Sequence, residues 1–172
     1  MVTDSRMELN VDGVRKELVG VGRWLCEAAA EGTAAHEVER TLFRKLLEMG
    51  HRLFEGFLQM VGDGDLGAQV TLSDERVVQR LKDTHERRLL TVFGEFSLSR
   101  RVYGTQERKT IELIPTDQRL QLPEHDVSYL LQEWDQLLGV EQAFGVVRDT
   151  LKTILRIKQS VDTLERGSRQ MA

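Results

Sequence analysis

Residues 34–61 carry two adjacent rows of apolar side chains, and no other stretch constrains the fold as strongly. Val38, Leu42, Leu46, Met49, Leu53, Phe57 and Met60 advance in steps of three and four. Phe43, Leu47, Phe54, Leu58 and Val61 lie beside them. That spacing predicts one helix with an apolar arc too wide for a single packing neighbour. At about 1.5 Å per residue it is about 40 Å long, more than a small domain needs. Part of it is therefore expected to face a second copy of the chain. Upstream, Val14, Leu18, Val21, Leu25 and Ala29 predict a helix over 11–30. Gly20 and Gly22 weaken it by about 1 kcal/mol each relative to alanine. Trp24 and Cys26 are expected to pack inside. Glu31-Gly32 ends the segment, and Thr33 is placed to cap the next helix.

Gly62-Asp63-Gly64-Asp65-Leu66-Gly67 stops the long helix. Its Asp-x-Asp start resembles a calcium loop, but Gly67 and Ala68 stand where that loop needs an acid and its turn glycine. The segment reads as a glycine-rich stop with solvated aspartates. Strand spacing follows over 68–114: Val70 and Leu72, then Val77 and Leu81, then Leu90, Val92, Phe96, Leu98 and Val102, and last Ile111 and Ile114. This predicts a small antiparallel sheet with a turn or bulge at Phe93-Gly94-Glu95. Its polar side is expected to carry Arg87, Arg88, Arg100 and Arg101, facing phosphates, an acidic partner or solvent. Pro115 and Pro123 bracket an expected loop. Helical spacing returns with Val127, Leu130, Leu131, Trp134, Leu137 and Leu138, breaks at Gly139, and resumes from Ala143 to Leu155. Ile157, Val161 and Leu164 mark a last helix beginning at Ser160.

The predicted class is therefore α+β. Its parts are a helical region over 1–66, a small sheet over 67–122 and a three-helix unit over 123–172. A hydrophobic fraction of 40% supports a core, and 30% charged residues mark a soluble surface. No apolar run approaches membrane-spanning length, and Met1-Val2-Thr3-Asp4-Ser5-Arg6 lacks a signal-peptide run, so a cytoplasmic protein without a membrane partner is expected. The single cysteine, Cys26, excludes an internal disulfide and a zinc site built on cysteine pairs. His36, His51, His85 and His125 are scattered, no glycine-rich loop joins a strand to a helix, and Glu133 and Asp135 point to different helix faces. No catalytic residue, metal, cofactor or small-molecule substrate is predicted.

Charge is distributed in zones behind a net −4. Residues 1–75 hold 8 basic and 14 acidic side chains, 76–109 hold 9 and 4, 110–147 hold 1 and 7, and 148–172 hold 6 and 3. A local positive zone matters to a phosphate backbone, because screening limits what more distant charges contribute.

The last three helices have the outline of a helix-turn-helix, in which one helix braces on the DNA backbone and the next lies in the major groove. Arg156-Ile157-Lys158 joins the two, and Ser160 is placed to cap the second. Ile157, Val161 and Leu164 would hold it inward. Thr163, Arg166, Arg169 and Gln170 would face outward, arginine and glutamine being suited to guanine and adenine edges. Lys152 and Lys158 are expected to contact phosphates, as are Arg100 and Arg101 on the sheet. Asp162 and Glu165 oppose phosphate on the same helix.

Several tracts in this order point to a family. They are Gly62-Asp63-Gly64-Asp65, Arg87-Arg88-Leu89-Leu90-Thr91-Val92-Phe93-Gly94-Glu95 and Arg100-Arg101-Val102-Tyr103-Gly104-Thr105. After them come Leu120-Gln121-Leu122-Pro123, Tyr129-Leu130-Leu131-Gln132-Glu133-Trp134-Asp135 and Gln159-Ser160-Val161-Asp162-Thr163-Leu164-Glu165-Arg166. From about Glu37 onward the chain resembles the N-terminal part of bacterial insertion-sequence transposases of the ISKra type. The resemblance implies a role in DNA transposition, with double-stranded element-end DNA as partner. It also implies a metal-dependent ribonuclease-H-like domain beyond Ala172, so no catalytic residue carries over. The cysteine-rich knuckle of some relatives is not matched at Tyr103-Gly104-Thr105-Gln106-Glu107. The chain would be a first reading frame, a degraded gene copy or an excised piece. The expected function is the non-catalytic portion of a transposase that binds element ends and supports assembly. The alternative is a dimerising helical interaction module that regulates a transposase without touching DNA.

Overall fold

The computed structural model describes residues 5–105, 110–139 and 142–171. They form six helices, a four-stranded antiparallel sheet and a two-stranded hairpin. Residues 1–60 and 61–172 are separate compact units.

The first unit contains α1 (Ser5–Glu31) and α2 (Ala35–Val61). Gly32, at φ +69°, ends α1. The next helix starts one residue later than a Thr33 cap would place it, and the Ala34 carbonyl accepts the first N–H groups, from Glu37 and Val38. Val21 and Ala28 on α1, and Met49 and Gly56 on α2, are buried. Arg52 pairs with Glu17, and the Lys45 ammonium lies 5.5 Å from the centre of the Trp24 ring. The α1 face differs from the expected one, since Ala28 is buried while Leu18, Cys26 and Ala29 are exposed. One helix covers only a narrow stripe of its neighbour, and Leu18 and Cys26 fall outside it.

In the second unit, β1 (Gln69–Thr71), β2 (Val77–Arg80), β5 (Tyr103–Thr105) and β6 (Thr110–Leu113) make the sheet, in the order β1-β2-β5-β6. Between β2 and β5 the chain leaves as a hairpin, β3 (His85–Thr91) and β4 (Gly94–Arg100), so the expected single sheet is two. The turn spans Val92–Phe93. Gly94 follows it at φ +118°, where a side chain is strained. Thr91 Oγ1 accepts the Phe93 N–H and donates to the Gly94 carbonyl, both at 3.1 Å.

Strand alternation places Leu89, Phe96 and Leu98 on the inner face of the hairpin. Arg87 and Arg100 share that parity and join them, leaving Arg88 outside. The expected polar side with all four arginines is therefore corrected. Pro115 and Pro123 also do not bracket a plain loop. Pro115 opens a short helix, α3 (Pro115–Leu120), at the first position, where its missing N–H costs nothing.

Three helices follow: α4 (Tyr129–Gly139), α5 (Phe144–Leu155) and α6 (Val161–Met171). Leu131, Val147, Leu151, Ile157 and Leu164 are buried among them. The Leu90 N–H donates to Asp126 O at 2.6 Å and the Ser128 N–H donates to Leu90 O at 2.8 Å, tying the start of this region to β3. Among the described residues no helix is long and apolar enough to cross a membrane.

Candidate nucleic-acid interface

Every described arginine of the 76–109 basic zone is engaged by an acid. Arg76 pairs with Asp74 at 2.7 Å and with Glu112, Arg80 with Asp65, and Arg88 with Glu95 at 2.8 Å. Arg101, expected as a phosphate contact, binds Asp63 Oδ2 at 2.9 Å. Arg100, expected in the same role, is largely buried with its Nη1 2.5 Å from Asp117 Oδ2. Arg87 donates to that same oxygen at 2.7 Å and to the carbonyls of Pro123 and His125. One carboxylate thus holds two arginines from neighbouring strands. Zones of opposite charge along the chain meet in the fold, and their fields cancel locally.

The 62–67 loop is part of this pairing. Asp65 Oδ1 accepts the Gly67 N–H at 2.9 Å, and the Tyr103 hydroxyl accepts the Leu66 N–H at 2.7 Å. The Gly67 N–H, followed by Arg80 and Tyr103, holds the Asp65 carboxyl below its ordinary value of 3.8. Gly64, at φ +78°, could carry no side chain, since a Cβ there would sit 2.5 Å from Thr116 Oγ1. The aspartates read as solvated helix-stop residues instead brace strands. Among the described residues no group of three or more potential ligands gathers to hold a metal ion.

The cations of the C-terminal zone stand differently. Among the described residues, no ion pair engages Lys152, Arg156, Lys158 or Arg166, and their side chains are exposed. Arg148 pairs with its neighbour Asp149 at 2.8 Å, and Arg169 lies 3.7 Å from Glu165 one turn back with its side chain 81% exposed. These groups occupy α5, the linking turn and α6. The turn is sharply built. Arg156 takes a left-handed conformation at φ +57° and its N–H donates to Lys152 O at 3.0 Å. Ile157 is buried to 4% exposure, which anchors the turn between exposed Arg156 and Lys158. Gln159 Nε2 then donates to Asp135 Oδ2 at 2.6 Å, fixing the turn to α4. Ser160 Oγ accepts the Thr163 N–H at 3.2 Å and so caps α6.

With Leu164 inward, Arg166 and Arg169 project from the open face of α6. Thr163 is half-buried, with its hydroxyl 2.8 Å from Ser160 Oγ. The Gln170 side chain lies outside the described residues. Asp162 and Glu165 share a shallow depression with Arg166 and Arg169, so this face carries mixed charge. Beside the α6 N-terminus, a cleft of about 390 Å³ has Arg88 and Lys158 on its walls, with Asp126 opposing them. Arg156 was not among the residues predicted to contact DNA. Its signal was its place in the Arg156-Ile157-Lys158 link, with a buried residue between two cations. No family model, curated protein or solved structure matches the chain.

Proposed function

We propose that this chain is a non-catalytic, DNA-binding portion of an insertion-sequence transposase, with α5, the turn and α6 as its contact to duplex DNA. One observation carries the proposal: four exposed cations without an acidic partner, Lys152, Arg156, Lys158 and Arg166, lie together on that segment. In the rest of the second unit only Lys82 and Arg119 among the described cations stand unpaired, and the arginines of the sheet are held by acids within the fold. A phosphate backbone attracts cations that no carboxylate already holds. The order of sequence tracts supplies the transposase assignment, and the non-catalytic role follows from that resemblance, which puts the strand-cutting domain outside these residues. The protein would act in the cytoplasm on element ends, within a larger assembly. Arg100 and Arg101 then serve to hold the sheet rather than to meet DNA.

On α6, Arg166 is the base reader, and Lys152, Arg156 and Lys158 grip phosphates. Asp162 and Glu165 lower affinity for DNA in general and leave discrimination to the arginine that finds its base. A bidentate arginine–guanine contact is worth about 1–3 kcal/mol, so Arg166→Ala should cut the preference for element-end over random DNA by about 5- to 150-fold. Lys152→Ala and Lys158→Ala should weaken both DNAs alike and reduce the salt dependence of binding. Titrations with both DNAs at two salt concentrations test this. An unchanged preference in Arg166→Ala would remove α6 as a reader. The second function, a protein-interaction module, is favoured by a different feature, the exposed apolar stripe on α2.

A further inference from the structure

Two helices alone make a poor core. Among the described residues of α1 and α2, only Val21, Ala28, Met49 and Gly56 are buried. Along α2, Phe43, Leu46, Leu53, Phe57 and Met60 remain 43–50% exposed. With Gly50 they follow steps of three, four, three, four and three, the spacing of a seam built for another helix. Arg44, Lys45, Glu48, Arg52 and Glu55, the Lys, Arg, Asp and Glu residues of α2 beyond Phe43, all project to the other side at 100° per residue.

The stripe also has an internal symmetry. Phe43, Leu46, Gly50, Leu53 and Phe57 read nearly the same in either direction, with Gly50 at the centre. A two-fold axis through Gly50 sets Phe43 of one helix against Phe57 of the other and Leu46 against Leu53, while the glycines let the two backbones approach. Such a surface is complementary to itself, as a two-fold interface requires. With aromatic side chains carrying 150–250 Å² each, the five half-exposed side chains offer roughly 500 Å² per copy. Two copies then bury about 1,000 Å², the size at which a specific interface begins.

We infer that α2 docks antiparallel on α2 of a second copy of this chain through Phe43, Leu46, Leu53, Phe57 and Met60, crossing at Gly50. The pairing gives each hairpin the apolar layer that it lacks alone. It uses a different unit from the proposed DNA contact and does not depend on it, so the DNA titrations cannot decide it.

Sedimentation of the full chain at micromolar concentration tests the docking. A mass twice the chain's 19.7 kDa is expected for the parent. Leu46→Glu with Leu53→Glu should return the mass to that of one chain, with helix content unchanged because both side chains are half exposed in the single copy. In a Cys26→Ser background, mixed Phe43→Cys and Phe57→Cys proteins should form the heterodisulfide in preference to either homodisulfide. A parent that sediments as a single chain overturns the inference, with the stripe then covered by the chain itself or by a foreign partner. A dimer indifferent to the two glutamates, or homodisulfides in excess, overturns it equally.

Discussion

Asp135→Asn should stabilise the C-terminal unit at neutral pH and remove part of its pH dependence. Asp135 Oδ2 accepts one hydrogen bond from Gln159 Nε2 at 2.6 Å, while Asp135 Oδ1 and Gln159 Oε1 are buried without a hydrogen-bond partner. Burial pushes the Asp135 carboxyl up to about 6 from its ordinary 3.8, against the opposing pull of the Gln159 hydrogen bond. Because the folded-state value is raised, the folded chain binds this proton more tightly than the unfolded one. Stability from this group is fully present below about pH 4, falls as pH rises through about 6, and then levels off. At 1.36 kcal/mol per pKa unit the loss reaches about 3 kcal/mol, and solvent around a partly exposed group reduces it to about 1–2 kcal/mol. An asparagine amide needs no proton to stay neutral, and its N–H can donate to the orphaned Gln159 oxygen. Calorimetry of parent and variant at pH 7 should show the variant melting about 4–8 °C higher, with the difference vanishing near pH 4. A variant that melts no higher at pH 7, or a difference independent of pH, refutes the reasoning.

Asp117→Ala leaves the buried Arg87 and Arg100 charges facing each other without their shared carboxylate, and should cost about 3–5 kcal/mol in denaturant unfolding. A cost below about 1 kcal/mol would show that water replaces the carboxylate freely. Supplied with magnesium or manganese and element-end DNA, the purified chain should neither nick nor join strands. Cleavage that rises in proportion to the chain, in preparations free of contaminating nuclease, would contradict a non-catalytic role.

Long-range pairing marks the limit of what could be read before the fold was known. The α2 helix was legible because its two apolar rows persist over many turns, and its bounds differ from the expected range by only one residue. The breaks around α4, α5 and α6 were legible for the same reason, as were the Ser160 cap and the inward Ile157 and Leu164. The short α3 was hidden because proline reads as a breaker, although at a first helical position it is an opener. The shared polar face expected for the arginines was not legible for a deeper reason. Arg87, Arg100 and Arg101 meet acids 17–38 residues away, and no local spacing shows which acid a basic side chain will meet. Cys26 and Leu18 were placed inside because an apolar row indicates a face but not how much of it a neighbour covers. The same holds for Lys152, Arg156, Lys158 and Arg166, whose lack of an acidic partner is a property of the fold and not of their spacing.

The β3–β4 hairpin has a consequence for the route by which the sheet assembles. Strands β2 and β5 pair with each other although the whole hairpin lies between them, and the Leu81 N–H donates to the Val102 carbonyl at 2.9 Å where it departs. Bringing two distant strands together costs chain entropy that grows with the intervening length. A hairpin zips in about 1–10 μs, and this one, once zipped, delivers Leu81 and Val102 to each other as its open end. The long closure becomes a short one. The turn at Val92–Phe93 therefore governs how fast two strands at the far end of the hairpin find each other. Breaking the chain at that turn would leave the contacts of the sheet in place and still return their full search to diffusion.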